Sequence, residues 1–146
     1  DEETNLYIHG GVDDIWYDLD SQKLVVADYK AQSSSFPIEK ESYLASTYHQ
    51  SYKTQMDIYV YILRQMGFGV SDTAYFMVCN GARTPSQFDA NMKFSIKLID
   101  YQVDTSWVGS KIKEMKRLMD GLDMPEINSY CENCAYIFQA NNLLDR

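Results

Sequence analysis

The stretch GGVDDIWYDLDSQKLVVADYKAQSSS (residues 10–35) decides the fold, because it is typical of two strands joined by a turn. Apolar, β-prone residues dominate 6–17 and 24–30, and polar residues fill 18–23 between them. Asp13, Asp28 and Lys30 nevertheless lie inside these runs. The sequence therefore predicts a hairpin that carries charged side chains within its sheet.

The register of this hairpin follows when its turn is centred between residues 20 and 21, so that polar and apolar positions match. Asp13 then faces Asp28 across the two strands. A shift of the register by one residue would move all the buried side chains of one strand from the core face of the sheet to the solvent face. Because side chains alternate along a strand, Asp28 and Lys30 share a face. We therefore expect the two acids and the amine to lie together.

Two facing carboxylates repel each other, and the sequence leaves three ways to relieve that repulsion. Unit charges about 5 Å apart at an effective dielectric near 20 repel by roughly 3 kcal/mol. Protonation of one acid, exposure of both to solvent, or a divalent cation between them would remove this cost. Oxygen ligands select Mg or Mn. Lys30 could then orient or deprotonate a water molecule bound to that metal, as in a hydrolytic site. In the alternative interpretation, Asp13 and Asp28 lie on an exposed edge and Lys30 is a salt-bridge partner.

The remaining pattern predicts a sheet flanked by helices, an α/β (α+β) fold, in one domain over residues 1–146. The predicted elements after the hairpin are a helix over 48–66, a buried strand over 73–79, a half-buried strand with Phe94, Ile96 and Leu98 on its buried side, and a helix from Asp104 or Thr105 to Gly121.

Composition limits the classes of protein to consider. A chain of 146 residues with 45% hydrophobic and 14% aromatic content can bury a core. No window approaches 18 consecutive apolar residues, which argues against a membrane protein. The net charge of -8 opposes generic attraction to phosphate backbones. Three cysteines, an odd number, favour a reducing cytoplasm over a disulfide framework.

Three motifs in order give a specific resemblance. Gly10-x-x-Asp13, then Asp28-Tyr29-Lys30 at a strand's end, then Gln55-x-x-x-Tyr59 on a helix resemble the RecB-like branch of the PD-(D/E)XK nucleases. The resemblance covers roughly residues 8 to 66. It implies a restriction-endonuclease-like mixed sheet flanked by helices.

The resemblance also implies a chemistry. Asp13 and Asp28, joined by the backbone carbonyl of Tyr29, would bind Mg or Mn, and Lys30 would act on the attacking water. The reaction implied is hydrolysis of phosphodiester bonds in DNA by an exonuclease, in repair, recombination or defence.

Gln55 and Tyr59 lie one helical turn apart and share a face. In the RecB-like group this pair lies beside the active site and the DNA, so the resemblance implies the same place here. The alternative is structural: Gln55 would bond a core backbone group, and Tyr59 would simply be packed.

One part of the family pattern is missing from the sequence. The family usually carries an acidic or His residue on a helix before the first strand, and Glu2, Glu3 and His9 have no helical context. We therefore expect the domain to lack this helix, or a larger polypeptide or complex to supply it. The alternative function is an inactive nuclease-fold domain that binds a protein partner.

Other metal and phosphate sites have weaker support. Cys131-x-x-Cys134 would fit a Zn or iron-sulfur site only with further ligands, and the residues after it contain no cysteine. We therefore interpret the pair as a vestige or a partial site. The second predicted helix carries lysines opposite its apolar stripe, a solvated face that could bind phosphate together with Lys93 and Lys97.

Overall fold

The computed structural model describes residues 1, 3–83, 92–122 and 131–144, and this part of the chain forms a four-stranded sheet with helices. The sheet order is β1-β2-β3-β4, with β2 and β3 parallel and both outer pairs antiparallel. The predicted mixed sheet flanked by helices is therefore confirmed. The elements are β1 (Asp14–Asp18), β2 (Lys23–Ser33), α1 (Lys40–Ala45), α2 (Gln50–Gln65), β3 (Thr73–Gly81), β4 (Phe94–Gln102), α3 (Val108–Asp120) and α4 (Glu132–Leu144), with a 3-10 turn at Thr47–His49.

The β1–β2 hairpin has the predicted register. Ile15 pairs with Val26 and Asp18 pairs with Lys23. Continued by one residue beyond β1, the same pairing sets Asp13 opposite Asp28. The Asp18 carboxylate also holds the turn, because it accepts a hydrogen bond of 3.1 Å from the backbone N–H of Asp20.

Helix α2 covers one face of the sheet and forms the crossover that parallel β2 and β3 require. Its buried residues Met56 and Val60 pack into the same core as Val26 and Phe76. Gly67 ends the helix with a φ of 89°, a conformation that glycine adopts without steric cost. The predicted helix over 48–66 is thus confirmed, although its first turn is a 3-10 turn.

The apolar residues of β4 that were predicted to be buried lie instead on the exposed face of the sheet. Phe94, Ile96 and Leu98 were expected on the buried side, but they are 57%, 67% and 50% exposed. Ile99 is instead the buried β4 residue, opposite Phe76 in the core. Among the described residues, the face of the sheet opposite α2 is therefore partly open and apolar.

Helix α3 begins later than predicted. Asp104 does not cap the helix; it accepts hydrogen bonds from the backbone N–H of Ser106 at 3.0 Å and from its hydroxyl at 2.6 Å. The helix begins at Val108, whose N–H donates to the Thr105 carbonyl at 3.2 Å.

None of the helices in the described ranges combines the length and apolar character that a membrane crossing needs.

The lysines of the predicted solvated face are largely ion-paired. Lys111 pairs with Glu114 at 2.5 Å, and Lys116 pairs with Asp120 at 2.5 Å along the same helix. These carboxylates offset the positive charge that a phosphate would need. The phosphate surface predicted on this helix therefore has weak support.

Candidate active site

The centre of the candidate site is a buried carboxylate on β2. Asp28 is 1% exposed and shares its face of the strand with buried Val26. Lys30, two residues later, forms an ion pair with Asp28 Oδ2. Among the described residues, neither oxygen of Asp28 has a partner with hydrogen-bond geometry. A buried carboxylate with free acceptor sites is costly, so it indicates a site built for another ligand.

The environment of Asp28 raises the pKa of its carboxyl group. Burial is the main cause, because it disfavours the charged form. The ammonium of Lys30 opposes this increase in pKa, whereas the neighbouring carboxyl group of Asp13 adds to it. The two acids therefore lie close enough to interact electrostatically, as the register predicts.

Asp13 reaches this site from the end of the neighbouring strand, whereas the next residue does not. Asp13 Oδ2 accepts a hydrogen bond of 2.8 Å from the backbone N–H of Tyr29. Asp14 points to the opposite face, where its Oδ2 accepts hydrogen bonds from the Tyr29 hydroxyl at 2.5 Å and from Trp16 Nε1 at 2.9 Å. These two donors lower the pKa of Asp14. Of the two consecutive aspartates, only Asp13 lies beside Asp28.

Three groups hold the ammonium of Lys30 in place. Besides its ion pair with Asp28, Nζ donates a hydrogen bond of 3.2 Å to Gln55 Oε1. It also lies 4.5 Å from the centroid of the Tyr52 ring, a cation–π distance. Gln55 Nε2 in turn donates to the Tyr59 hydroxyl at 2.6 Å. The structure thus brings Gln55 and Tyr59 together with Lys30, and among the described residues Gln55 bonds no core backbone group.

A glycine lets the loop before β1 lie against α2. A Cβ atom built on Gly10 would lie 2.6 Å from Cε1 of Tyr59, closer than real Cβ contacts allow. The absence of a side chain at Gly10 therefore permits the approach that carries Asp13 towards Asp28. This contact gives a physical reason for the glycine in Gly10-x-x-Asp13.

Sequence reasoning missed the contribution of Tyr52. It lies three residues before Gln55 on α2, and its spacing predicted only a core residue. Its ring stacks on His49 at 5.3 Å, and His49 stacks on Tyr43 at 3.9 Å. Tyr52 is the ring of this aromatic stack that contacts the ammonium of Lys30. The signal in the sequence was the i, i+3 spacing of Tyr52 and Gln55, which places both on one helical face.

The donor set of the site fits a hard dication. Asp13 and Asp28 supply carboxylate oxygens, the ligands that Mg and Mn prefer, and within the described ranges Asp28 Oδ1 has no partner while Oδ2 is shared with Lys30. Residues 1, 3–83, 92–122 and 131–144 hold no cluster of three or more His, Cys, Asp or Glu side chains suited to a metal. A dication would therefore need further oxygen ligands, such as the Tyr29 carbonyl, water or the substrate.

The two cysteines near the C-terminal helix are paired with each other. Cys131 and Cys134 form a disulfide across the first turn of α4, and the third cysteine, Cys79, is free and half-buried. The cysteine-based Zn or iron-sulfur site thus gains no support from the described residues, and its absence from the protein stays a prediction.

Comparison with known proteins gives one match. The family model for the PD-(D/E)XK nuclease superfamily matches residues 2–138, nearly the whole chain. Neither the curated proteins nor the solved structures contain a match to this sequence. The match includes all the elements that carry the candidate site.

Proposed function

Because the chain belongs to the PD-(D/E)XK nuclease superfamily, we propose that it is a Mg- or Mn-dependent deoxyribonuclease of the RecB-like branch. It would hydrolyse phosphodiester bonds in DNA as an exonuclease, in repair, recombination or defence. The RecB-like assignment is supported by the Gln55-x-x-x-Tyr59 motif, whose two side chains bond each other beside Lys30.

One observation carries the proposal: Asp28 is a buried carboxylate beside Asp13, its Oδ2 is ion-paired with Lys30, and its Oδ1 has no partner in the described part of the chain. A purely structural carboxylate at this depth would be expected to have hydrogen-bond donors. A dication would satisfy both acids at once and relieve their repulsion.

The residues of the site have distinct proposed roles. Asp13, Asp28 and the Tyr29 carbonyl would hold the dication. When bound, that ion would polarise the phosphodiester and lower the pKa of the attacking water. Lys30 would orient this water with its ammonium, and Gln55 would keep the ammonium in position through the 3.2 Å hydrogen bond. Tyr59 would fix the Gln55 amide from the other side.

The direct test is a cleavage assay on end-labelled linear DNA and on a closed circle, with Mg²⁺ or Mn²⁺. We expect the linear substrate to be degraded from its ends and the circle to resist. Cleavage of the circle would show endonuclease activity and overturn the exonuclease assignment. No cleavage of either substrate would overturn the enzyme proposal.

Metal binding should stabilise the folded protein. At a free Mn²⁺ concentration near 100 times the dissociation constant, the stabilisation is about 2.7 kcal/mol. For a chain of this length that corresponds to a rise of roughly 5–10 °C in Tm, measured by differential scanning fluorimetry. Asp28→Asn should abolish the shift, and Asp14→Asn, which alters a carboxylate on the opposite face, should keep it. An equal shift in all three proteins would place the metal elsewhere.

In EDTA, the carboxyl group of Asp28 should make stability depend on pH. Burial raises its pKa in the folded state above the ordinary aspartate value of 3.8. Between those two pKa values the folded state binds more protons than the unfolded state, so the free energy of unfolding falls as pH rises. Urea titrations from pH 3.5 to 8 should show a smaller fall for Asp28→Asn than for the wild type. Parallel pH profiles would contradict a raised pKa at this residue.

An inactive domain that binds a protein partner is the second candidate function. It is favoured by the open apolar face of the sheet, where Ile96 is 67% exposed. The same face supports our proposal that a larger polypeptide or complex supplies a further helix to the domain formed by residues 1–146. Absence of both cleavage and a metal-induced Tm shift would favour this function. The cytoplasmic location stays a prediction, and the Cys131–Cys134 disulfide does not support the reducing compartment that the cysteine count favoured.

A further inference from the structure

A cavity of about 280 Å³ lies at the carboxyl ends of the parallel strands β2 and β3. Two exposed aromatic residues, Phe36 and Phe94, line it together with two cations, Arg83 and Lys93. Its volume is just below the smallest typical of small-ligand sites, on the order of 300 Å³. The cavity therefore combines flat apolar rings with positive charge in a space of ligand size.

A second cavity lies next to this one, on the side of the candidate active site. It has a volume of about 260 Å³, and it shares Ser34 and Phe36 with the first cavity. Its lining also includes Gln32, which lies two residues after Lys30 on the same face of β2. Four residues of extended strand, from Lys30 to Ser34, span roughly 13 Å. The two cavities thus follow the end of β2, and the second begins two residues beyond Lys30 on the same face of the strand.

The wall that the two cavities share is fixed to the sheet. Asn80, which is buried, accepts a hydrogen bond of 2.8 Å from the Ser34 N–H and donates one of 3.2 Å to the Ser34 carbonyl. The Ser33 hydroxyl donates to the Gly81 carbonyl at 3.0 Å. Phe36 therefore projects from a segment that is already ordered, which lowers the entropic cost of binding.

The charges around the first cavity favour an anionic ligand. Nearby Lys97 and Lys40 are ion-paired with Glu39 and Asp100. Within the described ranges, the lining cations of the first cavity form no such ion pair. In a chain of net charge -8, this is a local positive region beside exposed aromatic rings.

We propose that the two cavities form a stacking subsite for single-stranded DNA, next to the phosphodiester that is cleaved. Phe36 and Phe94 would stack on bases, and Arg83 and Lys93 would contact phosphates. Stacking on a side chain needs an unpaired base, because neighbouring base pairs cover the base faces of a duplex. The inference rests on the proposed nuclease function, and it assigns single-stranded DNA as the substrate class.

The binding test uses a fluorescein-labelled 12-nucleotide oligo-dT and a blunt hairpin duplex, with anisotropy measured in EDTA so that no cleavage occurs. The wild type should prefer the single strand. Phe36→Ala should weaken single-strand binding by about 10-fold or more, whereas Phe36→Tyr keeps the ring and should retain it. Phe94→Ala, on a separate strand, repeats the test if Phe36→Ala does not fold.

The two cations give an independent readout. If Arg83 contacts a phosphate, Arg83→Ala should reduce the slope of log affinity against log salt by about 0.7. Lys111→Ala removes the same charge from α3, where Lys111 is paired with Glu114 and lines neither cavity. It should leave both the affinity and the slope unchanged.

The outcomes separate this inference from the nuclease proposal. Unchanged single-strand affinity in both Phe variants, or an equal loss for duplex and single strand, overturns the subsite even if the wild type cleaves DNA with Mn²⁺. Loss of single-strand binding in the Phe variants supports the subsite even if the wild type cleaves nothing, and in that case only the enzyme proposal fails.

Discussion

Asp28→Asn and Lys30→Ala should each lower the rate of DNA cleavage with Mn²⁺ by about 10³-fold while the protein remains folded. The Asn side chain keeps the shape of Asp28 but loses the charge that would hold the dication. The dication's stabilisation of the transition state is worth several kcal/mol, and about 4 kcal/mol corresponds to roughly 10³-fold in rate. Loss of the group that acts on the water costs about 10²–10⁴-fold. The measurement is single-turnover cleavage of end-labelled DNA.

The neighbouring aspartates supply a matched control for this experiment. Asp13→Asn should also reduce cleavage strongly, because Asp13 lies beside Asp28. Asp14→Asn makes the same chemical change one residue away, on the opposite face of the sheet, where Asp14 bonds Tyr29 and Trp16. It should change the rate by less than about 3-fold, as expected for a site outside the transition-state contacts.

Wild-type cleavage by folded Asp28→Asn or Lys30→Ala would contradict the proposed site. Equal losses in Asp13→Asn and Asp14→Asn would show that the effect is structural, since only one of the two side chains lies beside Asp28. Circular dichroism of each variant at the assay temperature establishes that the compared proteins are folded.

The hairpin and its register were predictable because two local rules agree there. Side chains alternate faces along each strand, and the polar turn leaves one register that matches the two apolar runs and the polar residues around them. The i, i+2 spacing then placed Asp28 and Lys30 on one face, as the ion pair shows. These properties depend only on residues near one another in sequence.

The side on which β4 is buried was not predictable from its alternation. The period of two shows that Phe94, Ile96 and Leu98 share a face, but it does not show which face another element covers. Helix α2 covers the opposite face, so Ile99 is buried instead. The prediction failed because burial in a sheet is a tertiary property, and hydrophobicity alone gave the wrong side.

Two interactions on α2 were missed for a related reason. Tyr52 fits the apolar stripe of the helix, and only the tertiary position of Lys30 turns its ring into a cation–π partner. Asp57 is a charged residue next to that stripe, and its buried position depends on donors 44 to 50 residues away. The donors to Asp57 leave no local signal, and the i, i+3 spacing of Tyr52 and Gln55 shows that they share a face without identifying Lys30 as their partner.

Asp57→Ala should destabilise the protein by about 3–5 kcal/mol, because each of the three donors left without an acceptor costs about 1–3 kcal/mol when buried. Asp57 is 4% exposed, and it accepts three hydrogen bonds of 3.0 Å, from the Tyr101 hydroxyl, the Asp104 N–H and Trp107 Nε1. Alanine would leave these donors without their acceptor and detach α2 from the segment between β4 and α3. Urea denaturation at pH 7 measures the change, and Tm should fall by roughly 10 °C.

Asp57→Asn and Asp72→Ala are the control variants for this prediction. The amide keeps one acceptor oxygen, so Asp57→Asn should cost about 1–3 kcal/mol. Asp72 forms an ion pair with Arg64, but its side chain is 74% exposed, and exposed pairs contribute about 0–1 kcal/mol. If Asp57→Ala costs no more than Asp72→Ala, the three hydrogen bonds do not hold α2 in place. The position of Gln55, two residues earlier on the helix, would then have to depend on the packing of Met56 and Val60 alone.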